Sequence, residues 1–153
     1  GVRMTRRVQY FIDEAALDRA LEALNRLRLS GRDELGEWFG RFISAYRVAE
    51  GQAPSPADAA GQDIIDSLKA GMAWVRHPYT RMAWRRVGDG AMLFVNGAAF
   101  QTTLADARLI AAAELLDAGL PAALSAKGRE LLQTLADGGH YQPADIPEDD
   151  AEA

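Results

Sequence analysis

The sequence predicts an α+β fold, with a helical N-terminal segment followed by a three-stranded β-meander and a pair of helices. Three observations carry this. Apolar residues recur at helical spacing between residues 13 and 46. Alternating strand-like runs between residues 80 and 102 are punctuated by Gly88-Asp89-Gly90 and Asn96-Gly97. Beyond them, Thr103 and Ser125 each stand where a helix N-cap is needed.

At the N-terminus, Val8 to Ile12 could form a short strand. Asp13 then caps a first helix with Leu17, Ala20, Leu21, Leu24 and Leu27 at helical spacing, and Ser30-Gly31 breaks it. The second helix has the strongest periodicity in the chain. Leu35, Trp38, Phe39, Phe42, Ile43 and Tyr46 follow the i, i+3, i+4, i+7, i+8, i+11 pattern and share one face. So aromatic a stripe needs a cover. Packing against the first helix is one reading. The other is a homodimer interface, where large aromatics are enriched.

Residues 51–60, with Gly51, Pro54 and Pro56, read as a linker between a helical segment (1–50) and a second domain (61–142). A helix is expected over 57–69 with Ile64, Ile65 and Leu68 inward, followed by a short strand over 72–76 and a turn at His77-Pro78. Strands are expected over 80–87, 91–95 and 98–102, with Met82 and Trp84 on one face of the first and Arg81 and Arg85 on the other. Asn96-Gly97 suits a two-residue hairpin, since both positions need positive φ. A helix capped by Thr103 is expected to run to about Asp117. A short segment begins at Leu120-Pro121, and a final helix capped by Ser125 buries Leu131, Leu132 and Leu135. Gly138-Gly139 ends that helix, and Tyr141 starts a return strand. The acidic stretch 143–153 has no apolar pattern and reads as disordered.

Composition excludes several functions. The chain has 153 residues, net charge −5 and no cysteine, so neither disulfides nor thiolate chemistry is available. No apolar run reaches the roughly 18 residues a bilayer span needs, and no leader follows the basic N-terminus. These features fit the cytoplasm. The chain begins at Gly1 instead of Met, which reads as a cloning scar or a cut from a longer protein. Charge is uneven, +2 over residues 1–99 and −7 over residues 100–153.

No catalytic constellation is evident. His77 and His140 are each followed by no acid two positions on, so the His-x-Asp start of an iron-binding facial triad is missing, and both read as surface or loop histidines. No nucleophile motif and no phosphate-cradling glycine loop occurs. DNA is disfavoured as a partner, because Lys127, Arg129, Glu130 and Asp137 leave the last helix with no net charge for phosphate contacts. Arg76, Arg81 and Arg85, with Trp84, form a candidate partner-binding group, for an acidic protein surface or for RNA.

Four segments carry a family resemblance. They are Arg76-His-Pro-Tyr-Thr-Arg-Met-Ala-Trp84, Met92-Leu-Phe-Val-Asn-Gly-Ala98, Leu104-Ala-Asp-Ala-Arg108 and Glu37-Trp-Phe-Gly-Arg-Phe-Ile43. In this order, across residues 33–142, the sequence resembles the C-terminal region of bacterial JmjC/cupin-type ribosomal oxygenases. These are iron(II)- and 2-oxoglutarate-dependent hydroxylases of a ribosomal-protein arginine. The resemblance implies that residues 61–142 form a winged-helix-like module and that the preceding helices mediate dimerisation. It implies that iron and 2-oxoglutarate belong to a barrel elsewhere in the parent protein, with no cofactor, metal or catalytic residue in this chain. A ribosomal protein is the implied partner of the parent. The alternative is a free-standing winged-helix regulator that binds protein or DNA.

Overall fold

A computed structural model describes residues 12–45 and 53–144. Two compact units divide at Leu35–Gly36. The expected strand over 8–12, the position of Tyr46 and the acidic tail from residue 145 lie, wholly or nearly so, outside the described residues.

In the first unit, helix α1 (Glu14–Ser30) begins where Asp13 Oδ1 accepts the Ala16 amide at 2.7 Å, and Gly31 follows its last residue with φ 95°. Helix α2 (Arg32–Ser44) continues directly into the second unit.

The second unit is built on two antiparallel three-stranded sheets. The meander of β2 (Met82–Val87), β3 (Gly90–Val95) and β4 (Ala98–Thr103) forms as its turn signals predict, with Asn96 at φ 46° and Gly97 at φ 89° closing the second hairpin. The other sheet has β1 (Trp74–Arg76) at its centre, flanked by β5 (Leu115–Leu116) and β6 (Tyr141–Pro143). Helices α3 (Ile64–Lys69), α4 (Leu104–Ala112), α5 (Leu120–Ala123) and α6 (Ala126–Asp137) complete the unit. One core joins them: Ile64 and Leu68 of α3, Trp74 and Tyr141, Leu93 and Val95 of β3, Ile110 of α4, and Leu131, Leu132 and Leu135 of α6.

Two expectations are corrected. The helix expected over 57–69 is a single 3-10 turn at Pro56–Asp58 and a separate α3. Asp63 caps α3 through the Asp66 amide, and Gln133 Oε1 accepts the Ile64 amide at 2.8 Å, so the helix start is set by α6 as well as by its own cap. The helix expected to reach Asp117 stops at Ala112, because Glu114 and the residues after it are taken into the ladder beside β1: Arg76 donates its amide to Glu114 O at 2.8 Å, and Leu116 pairs with Trp74.

The N-termini of α4 and α6 are tied by one polar junction. Thr103 Oγ1 accepts the Asp106 amide, and the Asp106 carboxylate, 1% exposed, accepts both the hydroxyl and the amide of Ser125. Ser125 Oγ in turn accepts the Gly128 amide at 3.0 Å. Burial acts to raise the Asp106 pKa. Hydrogen bonds from Ser125 and Thr103 and the charge of Arg129 outweigh it, so the carboxyl titrates below its ordinary value. Gly128 admits the carboxylate closely, since a Cβ there would lie 2.5 Å from Asp106 Cγ. Gly128→Ala is therefore expected to lower stability by about 1–3 kcal/mol although alanine is the better helix former. The shift in urea midpoint measures it.

His140 is a fold-holding residue, contrary to the surface reading. Its Nδ1 lies 2.8 Å from Thr80 Oγ1, and the His140 carbonyl accepts the His77 amide. Burial, and after it the neighbouring His77, pushes its pKa from 6.5 down to about 4. The unfolded chain thus takes up this proton first, and stability falls as pH drops from about 6.5 toward 4. The Asp106 contribution is lost in the same direction, as pH falls through its depressed folded value. Urea midpoints measured from pH 7 to pH 4.5 are expected to decline, and His140→Gln to flatten that decline.

Candidate functional site

The periodicity of α2 points to its aromatic face, but the structure turns a different face to the sheet. Gly36, Gly40 and Ser44, spaced i, i+4, i+8, line one side of the helix. A Cβ on Gly40 would lie 2.2 Å from the Phe94 ring, and one on Gly36 would lie 2.5 Å from the Arg85 guanidinium. Ser44 is fully buried. Its Oγ accepts the Gly97 amide at 3.0 Å and donates to Arg41 O, while Arg41 Nη1 donates to Gly97 O.

The sheet is ready for this contact. In the β2–β3–β4 register, Ala83, Phe94 and Ala99 stand side by side on the face away from the core, so Phe94 rises between two alanines. The helix backbone rests on that ring. Gly40→Val is expected to destabilise the second unit by about 1–3 kcal/mol, because the new side chain would overlap the Phe94 ring, which stands between two alanines. Urea denaturation followed by tryptophan fluorescence reads the loss.

With small residues inward, the aromatic face points to solvent. Phe42 is 63% exposed and Phe39 52%, and Leu35 and Ile43 are also exposed. Trp38, half-buried, stacks on Phe42 with ring centroids 5.3 Å apart and planes within 12°. The paired Arg41 and Glu37 lie on the exposed surface, where an ion pair contributes little. Among the described residues, Leu35, Phe39, Phe42 and Ile43 are exposed and stand outside the buried core. They form an uncovered apolar strip of a kind that marks interaction sites.

The second candidate group is not one surface. Arg76 Nη2 donates to the carbonyls of Ile110, Ala111 and Ala113, satisfying the C-terminal end of α4. It also sits beside Tyr141, whose hydroxyl burial pushes up to about 12 against the opposing pull of that guanidinium. Arg85 lies beneath Gly36 on the α2-facing side of the meander. The Arg81 backbone bonds to Asn96, whose Oδ1 accepts the Arg81 amide. Trp84 faces the other side, with the Arg108 guanidinium 5.9 Å from its ring centroid.

Among the described residues, no three His, Cys, Asp or Glu side chains come close enough together to hold a metal ion, and no helix is long and apolar enough to cross a membrane. The backbones of His77 and His140 join at the β1–β6 end, His77 Nδ1 accepts the Tyr79 amide at 3.0 Å, and His140 Nδ1 lies 2.8 Å from Thr80 Oγ1.

The ROXA-like winged helix family matches residues 20–142. The chain belongs to this family. Its fold is also that of part of the Escherichia coli ribosomal oxygenase YcfD, with a TM-score of 0.59 at 23% identity over 93% of this chain and 39% of that one. A structure of YcfD with cobalt and succinic acid and another with cobalt and 2-oxoglutarate each give a TM-score of 0.57 at 23% identity, covering 92% of this chain and 38% of those. At that identity the likeness is one of fold, and the chain spans well under half of the YcfD length. No curated protein matches the chain. The resemblance read from the sequence segments is borne out by the family match.

Sequence reasoning overlooked the inward face of α2. Its signal was present: two glycines in the middle of a helix, each costing roughly 1 kcal/mol against alanine, indicate a backbone that something must approach closely.

Proposed function

We propose that this ROXA-like winged-helix chain is the non-catalytic, protomer-pairing region of a ribosomal oxygenase. Two copies join through the exposed strip of α2, centred on Trp38, Phe39, Phe42 and Ile43. The observation that carries this reading is the division of α2 into two faces. The small face anchors the helix to Phe94, and that anchoring holds the aromatic face outward as a preformed surface. Stacked, exposed aromatics on a rigid helix suit the centre of an interface, where they remove large apolar area from water at little entropic cost.

The YcfD structure with cobalt and 2-oxoglutarate, and the lack of any group of three His, Cys, Asp or Glu side chains among the described residues here, support a reading in which the parent holds its metal and 2-oxoglutarate elsewhere. The role left to this region is geometric: it pairs protomers and presents a ribosomal-protein substrate to a catalytic barrel. The family match and the YcfD fold support this role over that of a free-standing DNA-binding regulator.

Sedimentation equilibrium of the chain tests the pairing. A dimer at tens of micromolar is expected, and Phe42→Asp is expected to shift it to monomer with no loss of thermal stability in the monomer, since Phe42 contributes nothing to the intramolecular core. A wild-type monomer at that concentration rules the reading out.

A further inference from the structure

We infer that the outer edge of β2 is a docking site for an extended acidic peptide of a partner protein, which adds to the meander as a fourth strand. Among the described residues β2 pairs only with β3 and therefore ends the sheet. The hydrogen-bond parity follows from the register. Asn96 donates its amide to Arg81 O, and Val87–Gly90 closes the first hairpin, so Arg81, Ala83, Arg85 and Val87 turn their backbone groups toward β3. Met82, Trp84 and Arg86 consequently direct their amides and carbonyls away from the sheet. Three such residues in a strand of six offer the ladder that strand addition uses.

The side chains around this edge select the charge of the occupant. Arg86 of β2 and Arg108 of α4 supply the selecting charge, in a chain whose net charge is −5. Arg86 is exposed. Arg108, also exposed, reaches from α4 over the Trp84 ring, whose own surface is 36% exposed. Trp84 and Arg86 stand two residues apart on one face of β2, so in an added strand an apolar residue followed two positions on by a carboxylate fits both. A basic strand would meet like charge at close range, which also discourages edge-to-edge pairing between copies. The main-chain ladder favours a peptide over nucleic acid, which has no amide row to match it.

The test uses the full chain, labelled for NMR, and capped hexapeptides. One is Val-Val-Glu-Glu-Val-Val, which sets valine and glutamate two positions apart on each face, and a control has lysine in place of glutamate. The amides of Met82, Trp84 and Arg86 should exchange quickly in the free protein and slow on addition of the glutamate peptide only. Binding should weaken with salt and fall by about tenfold in Arg86→Glu, as loss of a charge contact at a docked strand implies. Arg86→Pro should bind more weakly than Arg86→Gln, because proline removes the outward donor while leaving the bonds to β3 in place. The inference is overturned by protection of those three amides in the free chain, by no binding of the glutamate peptide at millimolar concentration, by equal affinities of the proline and glutamine variants, or by a uridylate oligonucleotide binding this edge in place of the peptide.

Discussion

The contact between the α2 backbone and the Phe94 ring organises much of what this protein presents to its surroundings. A helix normally meets a sheet through the large side chains of its apolar stripe, which hold the two backbones apart. Here Gly36 and Gly40 remove those side chains at the point of contact, and the helix sits down on Phe94 and Arg85 directly. Ser44 and Arg41 then bind Gly97 at the turn of the second hairpin, fixing the end of the helix to the tip of the sheet. Rotation about the helix axis is thereby blocked, since any other face would drive a side chain into the ring. The aromatic strip points to solvent as a consequence of this block.

The same economy appears in the polar groups of the second unit. Arg76 satisfies three carbonyls at the end of α4, Arg129 donates to the carbonyls of Pro121 and Leu124 at the end of α5, and Gln133 accepts the first amide of α3. Short helices leave a large share of their backbone groups without intrahelical partners. Long-range side chains supply the partners here, so helices of four to nine residues persist within a small core. Asp106 extends the pattern by tying two helix starts together through Ser125. Arg76, Arg129 and Asp106, charged residues that a sequence reader would assign to the surface, thus hold this fold together.

Helix α6 buries Leu131, Leu132 and Leu135 and carries no net charge. Arg86 of β2 and Arg108 of α4 are among the cationic side chains that reach solvent. Fold alone does not assign function. The structure turns the apolar strip of α2 outward and leaves β2 as an end strand of the meander.

Local chemistry was legible from the sequence alone. Asp13, Thr103 and Ser125 cap the helices expected of them, Asn96-Gly97 closes its hairpin, and Leu131, Leu132 and Leu135 are buried as their spacing predicts. Each depends on residues within about one turn of one another, so the sequence window contains the whole interaction. The order of four segments was enough to identify the family. Tertiary structure decided which face of α2 met the sheet, where α4 ended and what Arg76 did. Those outcomes turn on partners far along the chain: Phe94 for Gly40, Trp74 for Leu116, and the α4 carbonyls for Arg76. Apolar periodicity states that a face prefers to leave water, but only the arrival of a neighbour with a matching shape determines whether it does.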